Sequence, residues 1–343
     1  MNMETPSGRL TLREIARQAG VSLATLDRVL HGRSGVREET ARRVRDVIAR
    51  HAGPSAGASR ARSMKFAFVM PEGANVFMQA IRDNVVEMSS WLAARKVSVE
   101  IIVADVFNAL RLAQALESLQ GKFDGVAVVA LDHQSVRAAI DDLVASGMHV
   151  VTLVSDVPGS RRHHYVGVDN VAAGRTAAVL VGRLARQPAG KVGVIAGSQL
   201  LRDHAERIFG FQQVMGLEFS HLTLLNPVEG GDQDQLNEDL MARWLSDHSD
   251  LIGVYNVGAG TPGVGKAIAD CGREEHIVFV AHDLTPFTRR GLLRGLVDAV
   301  ISQDPGHEAR SAIRVLMALT RGEPLLSEQE RINIDIVMRD NLP

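Results

Sequence analysis

Apolar and polar positions follow a regular pattern along most of the chain. From residue 65 onward, short runs rich in Val and Ile are separated by stretches whose apolar positions recur at helical spacing. The runs are KFAFVM, VSVEIIV, GVAVVAL, HVVTLV, KVGVIA, HLTLLN, LIGVY, HIVFVA and LVDAVIS. Continuous apolar strands that alternate with helices are typical of parallel sheets covered on both faces. The pattern therefore predicts a doubly wound α/β body.

The number of these runs indicates two lobes, because about nine parallel strands exceed what one open sheet of this type holds. The final segment, residues 331–337, behaves differently. Its isoleucines at positions 332, 334 and 336 alternate with polar residues. This spacing predicts an edge strand with one buried face.

Residues 10–50 show the pattern of three short helices. A first helix ends near Gly20, which can take a positive φ without steric cost. Ser22 is placed to cap a second helix, and the third helix has a buried stripe at Val44, Val47 and Ile48. The second helix buries one face and exposes its N-terminal residues. This is the geometry of a recognition helix in the major groove of DNA.

The first two helices carry a specific series of residues at fixed spacing: Ala16, Gly20, Val21 and Ser22, followed by Thr25, Arg28, Val29 and Leu30. This series resembles the headpiece of the LacI/GalR family of bacterial transcription regulators. The resemblance implies double-stranded DNA as a partner, with a pseudo-palindromic operator and a homodimeric protein, most often a repressor. The implied contact residues are Ser22, Leu23, Ala24, Thr25 and Arg28.

Charge is divided unevenly along the chain. Residues 1–65 contain 13 Lys and Arg against 6 Asp and Glu, whereas the remainder contains 25 against 34. A basic head on an acidic body favours local phosphate binding. Residues 53–64, GPSAGASRARSM, have linker composition, and Arg60 and Arg62 are expected to contact DNA from there. The resembled family forms a hinge helix with a leucine wedge in this region, but this segment has no Leu.

The body resembles periplasmic sugar-binding proteins, in which ligand lies between two lobes at the carboxyl ends of the strands. We expect a helix-turn-helix domain at 1–52, a linker at 53–64 and a ligand-binding domain at 65–343. The first lobe is expected at about 65–169 and 304–325. The second is expected at about 170–303 and 326–343.

Polar side chains that follow the predicted strands suit a small sugar or polyol. Such a ligand needs carboxylate, amide and guanidinium groups for its hydroxyls and an aromatic face for its C–H side. The candidates are Asn75, Phe77, Asp156, Arg207, Asn256, Asp283 and Gln303. All except Asp156 also resemble ligand-contact positions of the ribose-binding branch of that fold.

A second function remains open from the residues alone. Residues 258–263 read G-x-G-x-x-G after a strand and before a helix, which matches a nucleotide-binding fingerprint and would suit a nucleotide-binding enzyme or redox sensor. The basic head favours the regulator instead. No cofactor, metal site or catalytic group is expected, because the histidines lack ligand spacing and the carboxylates lack a reaction partner. The ligand's identity and the direction of its effect stay open.

The predicted location is the cytoplasm. No apolar run approaches 18 residues, the first ten residues are polar, and the chain has a single cysteine. We therefore expect no membrane partner.

Overall fold

The computed structural model describes residues 12–30, 36–51, 63–72, 75–326 and 328–343. The chain separates into two compact units, Met1–Arg62 and Ser63–Pro343. The linker residues 53–62, with Arg60 and Arg62, lie outside the described residues, as does the side chain of Ile48. Contact of Arg60 and Arg62 with DNA therefore stays a prediction, and whether the linker forms a hinge helix stays open.

The described part of the first unit contains three helices: α1 (Leu12–Ala19), α2 (Leu23–Leu30) and α3 (Glu38–His51). Their apolar stripes meet in one small core, which is Ile15, Ala16, Ala19, Leu26, Val44 and Val47. Gly20 has a φ of 64° and makes the turn between α1 and α2. The Ser22 hydroxyl oxygen accepts the backbone N–H of Thr25 at 3.1 Å and so caps α2.

The second unit begins with the elements of the first lobe, in chain order β1 (Met64–Pro71), α4 (Val76–Glu87), α5 (Ser89–Ala93), β2 (Val97–Ala104), α6 (Ala109–Glu117), β3 (Gly125–Val128), α7 (Gln134–Ala145), β4 (His149–Leu153) and β5 (His164–Val166). The strands form one parallel sheet in the order β2-β1-β3-β4-β5. Buried aliphatic clusters cover both faces, as the continuous apolar strands predict.

The chain continues with α8 (Asn170–Leu184), β6 (Gly190–Ala196), α9 (Arg202–Glu218), β7 (Leu222–Leu224), β8 (Val228–Glu229), α10 (Asp234–Asp247), β9 (Leu251–Asn256), α11 (Thr261–Asp270), β10 (Val278–His282), α12 (Pro286–Arg294), β11 (Ala299–Ser302), α13 (Pro305–Arg321), β12 (Asp335–Val337) and a last 3-10 turn (Arg339–Asn341). Apart from α13, these elements form the second lobe. Its sheet has the order β12-β11-β10-β9-β6-β7, with β8 also paired to β6, and among the described strands β12 alone runs antiparallel. Helix α13 packs into the core of the first lobe.

The chain passes between the lobes near residues 168–170, 302–305 and 332–335. The last crossing lies later than the predicted position near 326. Ile332 is buried in the core of the first lobe, and Ile334 contacts the cores of both. Residues 331–334 bridge the lobes, so the predicted edge strand at 331–337 is wrong in its first half and pairs with β11 only from Asp335.

Candidate functional site

A cavity of about 310 Å³ lies between the two lobes. Its first wall follows the carboxyl ends of β1, β3 and β4, and its second follows the ends of β6, β9, β10 and β11. The carboxyl ends of parallel strands are the expected ligand position in such sheets. The volume is in the range of small-molecule sites.

Asn75 and Phe77, which follow β1, line the cavity from the first lobe. The Asn75 side-chain oxygen accepts the backbone N–H groups of Phe77 and Met78 at 3.0 and 3.2 Å, which caps α4. Its amide group points across the cleft and donates to Asp232 at 3.5 Å. Asn75 thus serves as a helix cap and as a link between the lobes.

Arg207 lies on α9 and lines the floor of the cavity, only 2% exposed. Its Nε donates to the Asn170 side chain at 2.8 Å, and one Nη donates to the Val257 carbonyl at 2.9 Å. Asn170 in turn donates to the Tyr165 hydroxyl at 3.1 Å. The other Nη has no partner among the described residues. This side chain is held rigidly with one donor still available.

Asp283 and Gln303 line the same floor from the ends of β10 and β11. The Gln303 amide donates to Asp283 at 3.3 Å, while its own side-chain oxygen is buried without a described partner. Burial raises the pKa of Asp283 to about 6, against the opposing charge of Arg207. An unpaired acceptor and a carboxyl of raised pKa at one floor are typical of a ligand site.

Backbone strain also concentrates at the cavity. Four described residues other than Gly have positive φ, and three of them, Val154, Asp232 and Asp283, line the cavity walls. For a β-branched residue such as Val154, with a φ of 64°, this conformation is costly. Strain of this kind persists where the surrounding structure enforces it, most often at functional sites.

Two carboxylates that the strand-end rule missed line the cavity. Asp203 is 4% exposed, and one of its oxygens has no described partner. It precedes Arg207 by four residues on one helix, a spacing that places both on one face and could have identified it. Asp232 follows β8, which is too short to appear as a periodic run. Its carboxylate accepts the Ala259 N–H at 3.0 Å.

Two predicted site residues, Asp156 and Asn256, are not among the residues that line the cavity. Asp156 is engaged by Arg162 through both carboxylate oxygens, and the Thr152 hydroxyl donates to it at 2.6 Å. Asn256 is fully buried, and its amide donates to the Gly258 carbonyl and the Thr261 hydroxyl, both at 2.9 Å. Both side chains support loops beside the cleft.

The glycines of residues 258–263 have structural explanations. A side chain at Gly258 would lie 2.5 Å from the Asp232 carboxylate, and one at Gly263 would lie 1.8 Å from the Asp234 carbonyl. Gly260 has a φ of 75° before α11. Because Asp232 already occupies the Ala259 N–H with a negative charge, a phosphate would be repelled there. The arrangement does not favour nucleotide binding.

The lobes contact each other directly beside the cavity. Leu201, which precedes α9 of the second lobe, is buried in the core cluster of the first. The next residue, Arg202, donates its backbone N–H to the Ser155 hydroxyl at 3.1 Å and lies 3.3 Å from Asp132. The cleft is therefore closed in this structure.

The predicted DNA-contacting residues of α2 differ in exposure. Leu23 is 48% exposed, and Ala24 and Arg28 are exposed as well. Thr25 is partly buried, and its hydroxyl lies 2.9 Å from that of Ser22. Ser22 and Thr25 are thus already bonded within the turn.

No group of three or more His, Cys, Asp or Glu side chains is arranged to hold a metal within the described part of the chain. Within the same residues, no helix combines the length and apolar character needed to cross a membrane.

Two family models match the chain. Residues 66–324 match the periplasmic binding protein domain, and residues 11–52 match bacterial regulatory proteins of the lacI family. A curated relative, the HTH-type transcriptional regulator pepR1 of Lactobacillus delbrueckii subsp. lactis, is 31% identical over 123 residues. That match covers 34% of this chain and about a third, 35%, of the relative.

Several solved structures share the fold of the body. A glucose-galactose binding protein, GanP of Geobacillus stearothermophilus, has a TM-score of 0.73 at 22% identity, covering 82% of this chain and 99% of its own. A solute-binding protein of Burkholderia graminis, in complex with D-arabinose, has a TM-score of 0.74 at 23% identity, covering 82% and 98%. The XylFII molecule gives 0.72 at 20% identity, covering 81% and 99%.

Proposed function

The chain belongs to the periplasmic binding protein domain family and carries a lacI-family domain at its N-terminus, and from this we propose that it is a DNA-binding transcription regulator controlled by a small sugar or polyol. The regulator acts as a repressor in the cytoplasm. It binds its operator as a homodimer, because one three-helix head contacts only half of a pseudo-palindromic site. Proteins of the same fold include a glucose-galactose binding protein and a solute-binding protein in complex with D-arabinose, which supports a sugar as effector.

The observation that carries this proposal is the floor of the cleft. Arg207, Asp203 and Gln303 each present a buried polar atom without a described partner to the same cavity. Buried polar groups are nearly always hydrogen-bonded, so their convergence indicates a polar ligand. A ligand that contacts both lobes changes the stability of the closed form relative to the open form. It can then change the affinity for DNA.

On the DNA side, we propose that α2 reads the major groove. Arg28, Leu23 and Ala24 project from it, while Ser22 and Thr25 contact phosphate or the groove edge through their hydroxyls. Arg60 and Arg62 of the linker add contacts to the backbone or minor groove.

A gel-shift assay tests this function. DNA selected from a random library by the full chain should be bound specifically, and a panel of sugars and polyols should change that binding. Asp283→Ala should weaken the response to the active compound by about tenfold or more, since ligand hydroxyls would be left unpaired. Binding of DNA without the compound should stay near normal. Absence of sequence-specific DNA binding would reject the function, and light scattering that gives the mass of one chain would reject the dimer.

A further inference from the structure

The unpaired polar groups of the cleft floor include more hydrogen-bond acceptors than donors. Asp203 and Gln303 each present an unpartnered acceptor oxygen, whereas Arg207 is the one residue of the described cavity lining with a buried, unpartnered donor. All three side chains are at least nine-tenths buried, at 4%, 5% and 2% exposure. A ligand that satisfies this floor must therefore donate more hydrogen bonds than it accepts.

The charged side chains of the cavity also favour a ligand that donates hydrogen bonds. Carboxylates of Asp203, Asp232 and Asp283 line its walls, and Glu72 lies at the exposed mouth. Arg207 is the one Lys or Arg side chain among the described lining residues. His204 also lines the cavity; its Nδ1 accepts the Ser198 N–H at 3.2 Å, and its Nε2 lies 3.6 Å from an Asp203 oxygen. Negative charge thus exceeds positive charge in a closed cleft.

The electrostatics of Asp283 show that these carboxylates act on one another. Its pKa is raised to about 6, mainly by burial; the charge of Arg207 and the hydrogen bond from Gln303 lower it, and the charges of Asp203 and Asp232 raise it. Behind the floor, Glu308 is fully buried with both oxygens unpartnered among the described residues. Burial and the charge of Asp283 raise the pKa of Glu308 well above its usual value. The charge of Arg207 opposes both shifts without cancelling them.

We propose that the effector is a polyol that carries a protonated amino group, such as an amino sugar or an amino cyclitol. This inference rests on the proposed role of the cleft as the effector site. The ammonium group lies against Asp203 and Asp283, where it donates hydrogen bonds and offsets the excess negative charge. The hydroxyls of the same ligand satisfy Gln303 and Arg207. A neutral polyol would supply the hydrogen bonds but leave the charge uncompensated.

Matched probes separate the contribution of charge from that of shape. Tris and pentaerythritol have nearly the same shape, and only Tris carries an ammonium group. Binding to the full chain is measured by calorimetry in amine-free phosphate buffer near neutral pH. Tris should bind about tenfold or more tightly than pentaerythritol, as expected for a close charge pair. D-Glucosamine and D-galactosamine should likewise bind more tightly than D-glucose, D-galactose and their N-acetyl derivatives.

Substitutions then assign the effect to the cleft. Asp203→Asn and Asp283→Asn should each remove most of the preference for Tris, whereas Asp247→Asn, at an exposed position of α10, should keep it. Thermal unfolding of each variant confirms that it is folded. The inference is overturned if pentaerythritol binds as tightly as Tris, if neither cleft variant alters the preference, or if no amine binds. If a neutral sugar binds and alters DNA affinity while the amines do not, the inference of an amine-bearing effector is wrong, whereas the proposed function as a regulator still stands.

Discussion

Asp283 illustrates at the scale of one residue how a buried carboxyl group can reduce the stability of the folded chain. Its pKa is about 6 in the folded chain, whereas an ordinary carboxyl of this type has a value of 3.8. Between these values the folded state keeps a proton that the unfolded state has lost. Stability therefore falls as pH rises through this window, and the loss is complete above it.

Asp283→Asn should consequently stabilise the protein at neutral pH by roughly 1–3 kcal/mol, because a neutral amide avoids the cost of burying a charge. Urea unfolding near pH 7.5 and near pH 4.5 measures the effect, which should shrink at the lower value. Asp247→Asn provides the matched exposed position and should change little. An equal gain at both pH values would show that the carboxylate charge is not responsible.

Substitutions at Arg28 and Gly20 should weaken DNA binding for different reasons: loss of a base contact and strain in the turn before α2. Arg28 is exposed on α2, so Arg28→Ala should cost roughly 1–3 kcal/mol at one position of the operator. Gly20 has a φ of 64° in the turn, with open space around it. Gly20→Ala should strain the turn by about 1 kcal/mol and weaken all sequences alike. Binding to a set of single-base operator variants distinguishes the two, and a uniform loss for Arg28→Ala would assign it to the backbone.

At the scale of secondary-structure elements, glycines show where helices approach closely. A Cβ at Gly263 of α11 would meet the backbone of α10 at 1.8 Å, whereas one at Gly216 of α9 would meet nothing within 4 Å. Gly263→Ala should therefore destabilise the protein by about 1–3 kcal/mol or more. Gly216→Ala should stabilise it by about 0.4–1 kcal/mol, because the unfolded chain loses freedom. Chemical denaturation of both variants checks the contrast, and similar effects at the two sites would contradict it.

The elements that could be predicted from sequence are those with long apolar runs. KFAFVM and LIGVY became β1 and β9, and the fold class followed from their alternation with helices. Strands β5 and β8 have three and two residues, too few for a periodic signal. Asp232 follows β8, so it was missed for the same reason.

The direction of a side chain was less predictable than its place in the chain. Asn75, Phe77, Arg207, Asp283 and Gln303 lie at strand ends or on the adjoining helices and also line the cavity. Asn256 lies at an equivalent strand end but is used to hold the loop after β9. Asp156 is paired with Arg162, six residues away along the chain. The hydrogen-bond partner of a polar side chain depends on the conformation of the folded loops. Residue type and spacing along the chain do not specify that partner.

At the scale of the whole ligand-binding unit, closure of the cleft involves a contact that needs no ligand. Leu201 of the second lobe is 6% exposed within the core of the first, while its neighbour Leu200 is 63% exposed. Opening of the cleft would expose the Leu201 side chain to water. Its burial therefore favours the closed form, together with the contacts that Arg202 makes to Ser155 and Asp132.

Leu201→Ala should shift the lobes toward the open form. Removal of a buried leucine side chain costs about 2–3 kcal/mol, which corresponds to a roughly 30- to 150-fold change in the ratio of closed to open molecules. Spin labels at the exposed Cys271 of the second lobe and at Ser118→Cys of the first can report the distance between the lobes. Without ligand, Leu201→Ala should lengthen and broaden that distance, and a compound bound in the cleft should restore it at a correspondingly weaker affinity. Leu200→Ala is the matched control and should leave the distance unchanged. If both variants give the same distance as the parent chain, Leu201 does not hold the cleft closed, and closure depends on the ligand and on the polar contacts alone.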